Sequence, residues 1–310
     1  MEEHRCIMKR SCCDFSNEEI RKANQEDPVF TSRADLENAF AELGIRAGMQ
    51  IVVHTAFSSL GHVDGGPETL CSLLQQLITE KGTILVPCFV RYPKDGEDFV
   101  FDPSSTPAGV GVVPEFFRKL PGVVRSWDPT HSFCVWGKDK EDFVRNHHKV
   151  PTMHPSSPLG ILEENDGFVL LIGCHTAVTF MHVVETSCGA ICLGQRSEEY
   201  SAIIGGKKVK LRAWNWRKGL CRALRHGEIY DFMRSQNTLS EMMLGRSHLM
   251  LFRLRDYRTA YERLLLAQEN GCFGCPIHPR KVKQCVPSDW DAEQDILLPT
   301  DAFTGDWFPL

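Results

Sequence analysis

The sequence predicts an α/β fold in which a central mixed β-sheet is flanked by helices, and three stretches carry that expectation. Residues 50–89 read as strand, helix, strand with short turns between them, which favours a parallel crossover pair. Phe168–Ile172 is a buried strand ended by Gly173 and followed by a helical segment. Tyr200–Ile204 and Lys208–Arg212 flank Gly205 and Gly206, the pattern of a two-residue hairpin, so an antiparallel element is expected to join the sheet.

Residues 1–30 lack sustained periodicity and read as an arm with one short helix near Asn17–Ala23. Ser32 then caps a helix in which Ala34, Leu36, Phe40 and Leu43 follow helical spacing, and Gly44 stands where that helix stops. The first core strand is Gln50–His54. Pro67 occupies the first helical position after Gly65 and Gly66, and Leu70, Leu73, Leu74 and Leu77 form an apolar stripe as far as Ile78. Gly82 leads into a second buried strand, Thr83–Phe89. A loop rich in Pro, Asp and Gly, Tyr92–Gly111, is a candidate site wall. It precedes a short helix, Val112–Leu120, and a strand, Ser132–Trp136. After Gly173, Thr176 or Thr179 is placed to cap a helix reaching about Cys188. Residues 218–268 alternate helical stretches with one strand, His248–Phe252, and the last forty residues are Pro-rich. The expected organisation is an arm (1–30), one catalytic domain (31–270) and a Cys-containing extension (271–310) packed on that domain.

Composition narrows the function. With 42% apolar and 24% charged residues in 310, the chain has the balance of a folded globular protein. Its net charge of −5 supplies no bulk positive field, which argues against a nucleic-acid partner. No apolar run approaches the length of a membrane span, and the charged N-terminus lacks the core of a secretory signal, so a cytoplasmic protein with no membrane partner is expected. Thirteen cysteines, an odd count in a long chain, read as reduced thiols.

The helix after Gly173 carries the sharpest motif. His182 and Glu185 are one turn apart, so the carboxylate can fix one imidazole nitrogen and leave the other to take a proton, the arrangement of a general base that needs no metal. Spacing alone equally describes a surface ion pair, the commoner case. His54 ends the first core strand before a loop of hydroxyls and small residues, Thr55 to Gly61, whose backbone amides suit an anion or an extended thioester arm. The stretch Arg125 to Ser132 gathers a guanidinium, an indole, an imidazole and hydroxyls before another strand, as a ligand-contacting loop or a self-satisfied turn would. Cys272, Cys275, His278 and Cys285 have zinc-ligand chemistry at imperfect spacing, so free thiols are the alternative. Eight basic residues without an acid from Lys207 to Arg225, and six carboxylates without a Lys or Arg from Gln284 to Leu310, segregate the charge. Patterns for serine hydrolases, zinc proteases, phosphate loops and dinucleotide sites are absent from the sequence.

Taken in order, these pieces resemble the aminoglycoside 3-N-acetyltransferase family of antibiotic N-acetyltransferases. The resemblance rests on His54 to Gly61 with Gly65 and Gly66, Lys81 to Pro87, Arg125-Ser126 with Pro129 to Ser132, Ser157-Pro158-Leu159, and Thr179-x-x-His182-x-x-Glu185. It covers about residues 33–268. It implies an antibiotic N-acetyltransferase-like fold, acetyl-CoA as co-substrate and a small-molecule amine, an aminoglycoside or similar compound, as acceptor. His182 would be the base, Glu185 its orienting carboxylate and Thr179 the remaining match in the helix. His54, Thr55, Ser58, Arg125, Ser126, His131 and Ser132, with Ser59, Leu60 and Gly61 of the first loop, would line the cleft. A monomer or homodimer is expected. Thr176 stands where many members have Asp, a departure that bears on aminoglycoside recognition. Two alternatives stay open: an acyltransferase of the same mechanism on a different amine in secondary metabolism, or a non-catalytic CoA-binding protein.

Overall fold

A computed structural model of the protein describes residues 17–90, 99–150, 152–175, 178–188, 196–214 and 226–266. Helix α1 (Asn17–Glu26) leads into a two-residue strand, β1 (Phe30–Thr31). Ser32 caps α2 (Arg33–Leu43) with a reciprocal pair of bonds: its hydroxyl accepts from the Asp35 N–H at 3.1 Å, and the Asp35 carboxylate accepts from the Ser32 N–H at 2.8 Å. Gly44, at φ 93°, closes the helix in the left-handed region. Strand β2 (Gln50–Thr55), a 3₁₀ turn (Phe57–Leu60), β3 (His62–Val63), α3 (Gly66–Ile78) and β4 (Thr83–Pro87) complete the expected strand, helix, strand unit. There follow β5 (Val100–Phe101), α4 (Val112–Phe117), β6 (Val124–Arg125), β7 (Phe133–Gly137), α5 (Lys140–Val144) and a 3₁₀ turn (His147–Lys149). The rest is α6 (Pro158–Glu164), β8 (Phe168–Ile172), α7 (Met181–Ser187), β9 (Arg196–Ile204), β10 (Lys207–Trp214), α8 (His226–Ser235), β11 (Leu239–Leu244), β12 (Ser247–Arg253) and α9 (Leu254–Leu266).

Seven strands form one sheet in the order β11-β12-β8-β2-β4-β7-β6, and the sheet does not close into a barrel. β2 is parallel to both neighbours, β4 and β8, while the remaining pairs are antiparallel, so the sheet is mixed. Side chains alternate along each strand and divide the core in two. Val52, Leu85, Phe133 and Leu171 face α6, α7, α8 and α9, whereas Val53, Val86, Cys134 and Ile172 face α2, α3 and α4. Among the described residues no helix is long and apolar enough to cross a membrane.

Three sequence expectations are corrected. The Gly205-Gly206 hairpin is present, but β9 pairs in parallel with β5 and the three strands make a separate sheet. Its inward residues Ala202, Ile204 and Leu211 bury against Phe101 and Val90, a small core that gives the hairpin a partner of its own. Among the described residues of 218–268 there are two strands, because β11 pairs along its whole length with β12. Helix α7 starts at Met181 with Phe180 as its cap residue and no side-chain cap bond. Thr179 therefore does not cap it, and Thr176 lies outside the described residues.

Candidate active site

The carboxyl ends of β2, β4 and β8 point to the same edge of the sheet, where open α/β folds place ligands. β6 runs in the same sense as β4, because each is antiparallel to β7, so the loop from Ser126 to Ser132 reaches that edge too. Three connections therefore converge: Ala56–Gly61 after β2, Ser126–Ser132 after β6, and, between β8 and α7, the described residues 173–175 and 178–180.

At the start of α7, His182 Nδ1 lies 2.7 Å from Glu185 Oε2, with both side chains mostly buried at 17% and 14% exposure. The other carboxylate oxygen, Oε1, accepts a 2.5 Å bond from the Tyr261 hydroxyl on α9. Glu185 is thus fixed at both oxygens and holds His182 by one ring nitrogen. That burial, and that second donor, separate the pair from an exposed helical ion pair. Thr179 contributes its carbonyl to the His182 N–H at 3.0 Å, while its buried hydroxyl has no hydrogen-bond partner among the described residues.

His54, next to last in β2, lies on the face that carries Val52, towards α7. It is 6% exposed, its Nε2 has no hydrogen-bond partner among the described residues, and burial pushes its pKa down to about 4. A neutral imidazole is the result. Thr55, on the opposite face, also has a hydroxyl without a partner among the described residues. Beyond it the loop is tied down. The Ser58 carbonyl accepts from Asn24 Nδ2 on α1 at 2.8 Å, and Ser59 Oγ donates to the Ala56 carbonyl at 2.7 Å and sits 2.9 Å from Ser247 Oγ. The Leu60 side chain is core, and its carbonyl takes the Thr31 hydroxyl at 2.6 Å. Gly61 has φ 75°, and a Cβ there would fall 2.2 Å from the Val29 carbonyl oxygen, so only glycine fits.

At the end of β6 the guanidinium of Arg125 is engaged by the protein. Nε donates to Ser132 Oγ at 2.9 Å, Nη2 to the Cys88 carbonyl at 2.8 Å and Nη1 to the Thr106 carbonyl, with the Phe101 ring beneath at 5.2 Å. Ser132 donates to the Cys88 carbonyl at 2.8 Å, and Ser126 Oγ accepts from the Phe133 N–H at 2.9 Å while meeting His147 Nδ1 at 2.9 Å. Arg125, Ser126 and Ser132 thus shape the wall through internal bonds. His131 is different: its ring lies edge-on to Phe89 at 4.5 Å and near enough to His182 for a charge there to disfavour charge on His131. Burial, opposed by Asp128 and reinforced by His182, lowers its pKa to about 4.

A model described as Aminoglycoside 3-N-acetyltransferase matches residues 52–265. The chain belongs to that family. It is 28% identical to aminoglycoside N(3)-acetyltransferase IX of Micromonospora chalcea over 59% of this chain and 70% of that one. The crystal structure of the aminoglycoside acetyltransferase AAC(3)-IVa apoenzyme superposes with a TM-score of 0.67 at 24% identity, covering 87% of this chain and 99% of that one. AAC-IIIb, solved as a binary complex with CoASH, gives 0.63 at 24% identity over 74% and 94%. Membership makes the chain an acyltransferase, and acetyl-CoA is the co-substrate of this antibiotic N-acetyltransferase family.

Two members of the constellation had no signal in the sequence. Tyr261 lies one turn from Tyr257 on an apolar helix face and reads as core; only the fold brings its hydroxyl to Glu185. Asp128, buried at 2% exposure, reads as a turn residue before Pro129, yet it gathers four hydrogen bonds from Thr130, His131 and Thr152. Cys272, Cys275, His278 and Cys285 lie outside the described residues, as does the acidic segment that follows them.

Proposed function

We propose that this acyltransferase moves the acetyl group of acetyl-CoA directly onto an amine of an aminoglycoside or aminoglycoside-like acceptor, within a domain spanning residues 31–270. The observation that carries the reading is the buried His182, Glu185, Tyr261 chain at the edge where the three loops meet. With Nδ1 held by Glu185, the basic nitrogen of His182 is Nε2. Nε2 takes the proton that the amine loses as its nitrogen bonds to the acetyl carbon, and returns it to the sulfur as the carbon–sulfur bond breaks. Glu185 stabilises the imidazolium in between, so no acyl group needs to reside on the protein.

The chain's residues suit the co-substrate. Acetyl-CoA supplies an activated thioester, and His54 Nε2, Thr55 Oγ1 and Thr179 Oγ1 are buried polar atoms without a partner among the described residues, the kind of group a bound ligand satisfies. His54, Thr55 and Ser58 with Ser59, Leu60 and Gly61 form one wall in this reading, and Arg125, Ser126, His131 and Ser132 the other.

The test is thiol release from acetyl-CoA across a panel of aminoglycosides and other amines. His182→Ala is expected to lower turnover by about 10²- to 10⁴-fold, the range of a lost general base. Near wild-type turnover in that variant would refute the mechanism. Acetylation of non-aminoglycoside amines alone would move the acceptor class, and no acetylation of any amine would favour a CoA-binding role.

A further inference from the structure

Asp128 sits in the loop between β6 and β7, and its carboxylate is surrounded by donors. Oδ1 accepts from the Thr130 N–H at 2.8 Å, the His131 N–H at 2.7 Å and the Thr130 hydroxyl at 2.8 Å; Oδ2 accepts from the Thr152 hydroxyl at 2.8 Å. Burial opposes its ionisation, but the imidazoles of His147 and His131 and the backbone N–H groups outweigh burial and hold the carboxyl below its ordinary value. It is therefore a carboxylate, able only to accept.

That fixes the next link. A threonine hydroxyl has one proton, and Thr130 directs it to Asp128. Towards His131 Nδ1, 2.9 Å away, the same oxygen presents a lone pair, so Nδ1 must be the donor. A neutral imidazole carries one N–H, and Nε2 of His131 is left as an acceptor. We propose that Asp128 and Thr130 form a relay that locks His131 in the Nδ1-protonated tautomer and holds it beside His182, making both positioning residues for the transfer reaction. An acceptor nitrogen suits a ring whose neighbour becomes cationic when it takes the amine's proton. The tautomer follows from the hydrogen bonds of Asp128 and Thr130 together with the burial that keeps the ring neutral; its effect on turnover rests on the reading of His182 given above.

Thr130→Val is nearly isosteric and removes only the relay hydroxyl, because two backbone N–H groups still anchor the loop to Oδ1. Long-range proton–nitrogen correlation spectra of the full-length protein, with the His131 ring assigned by its loss in His131→Gln, read the tautomer directly. Wild type is expected to show Nδ1 protonated and Nε2 unprotonated. In Thr130→Val the ring should populate the Nε2-protonated form and kcat should fall about tenfold, with KM for acetyl-CoA and the thermal midpoint little changed; Thr130→Ser should restore both. An Nε2-protonated ring in wild type overturns the relay. The expected tautomer combined with wild-type turnover in Thr130→Val overturns the positioning role. If wild type acetylates no amine, the functional reading has failed, and the spectra of the two proteins still decide the relay.

Discussion

Glu185 is held from two sides, and the two contacts make separable contributions. Oε2 orients His182, and Oε1 is itself oriented by Tyr261. Glu185→Gln keeps the shape but removes the charge that stabilises an imidazolium, and is expected to cost about 10²-fold or more in kcat. Tyr261→Phe removes one bond to a charged acceptor, a loss on the order of 1.5–3 kcal/mol, and part of it should appear as a roughly tenfold fall in kcat. KM for acetyl-CoA should hardly move in either variant. Steady-state kinetics on the three proteins checks the order; turnover in Tyr261→Phe equal to wild type would remove Tyr261 from the chain. At this scale the sequence was half informative. His182 and Glu185 are legible because helical spacing places them on one face. Arg125 is not: whether a guanidinium meets a ligand or three groups of its own protein depends on Cys88, Thr106 and Ser132, which folding alone assembles.

The connection from β8 to α7 depends on a glycine. Gly173 has φ 66°, and a Cβ there would fall 2.0 Å from Ser59 Oγ in the loop after β2. Gly173→Ala would both strain the backbone and push apart two walls of the site. A loss of roughly 1–3 kcal/mol in stability is expected together with reduced turnover. Ser32→Ala offers the contrast: it should cost about 1 kcal/mol through the cap of α2 and leave turnover intact. Urea unfolding and the acetylation rate, measured on both, distinguish a site connection from a distant cap; full activity in Gly173→Ala would contradict the close approach. Elements with strong periodicity, such as α2, α3, β2, β4 and β8, were legible because burial on a defined face imposes it. β11 was not, since its residues are only half-buried or exposed, without a regular alternation, at the sheet margin. The parallel pairing of β9 with the two-residue β5 was equally hidden, because no local pattern encodes a partner a hundred residues away.

Across the molecule, folding keeps a set of imidazoles neutral. Burial lowers the pKa of His54 to about 4 and of His131 to about 4; burial, aided by Lys149 and His147, lowers that of His148 to about 3. In the unfolded chain each titrates near 6.5. Between pH 6.5 and about 4 the unfolded state therefore binds more protons than the folded one, and stability rises with pH. The contribution is full above 6.5 and is lost as pH falls towards 4, each ring steepening the dependence by up to about 1.4 kcal/mol per pH unit. A second stage follows at lower pH. Hydrogen bonds from Arg118 to Glu115 and from Arg234 to Glu241 lower those carboxyls to about 2, so their contribution is lost from about 4.5 downwards. The urea midpoint should hence fall from pH 7 to pH 5, before carboxylates titrate, and fall again below pH 4.5. His148 packs against Trp127 at 5.0 Å, and His148→Phe keeps a ring there while removing one titrating group. Its midpoint should decline less between pH 7 and pH 5 than that of wild type. An unchanged wild-type midpoint across that interval would mean that these imidazoles meet water or a proton-accepting partner in the folded protein.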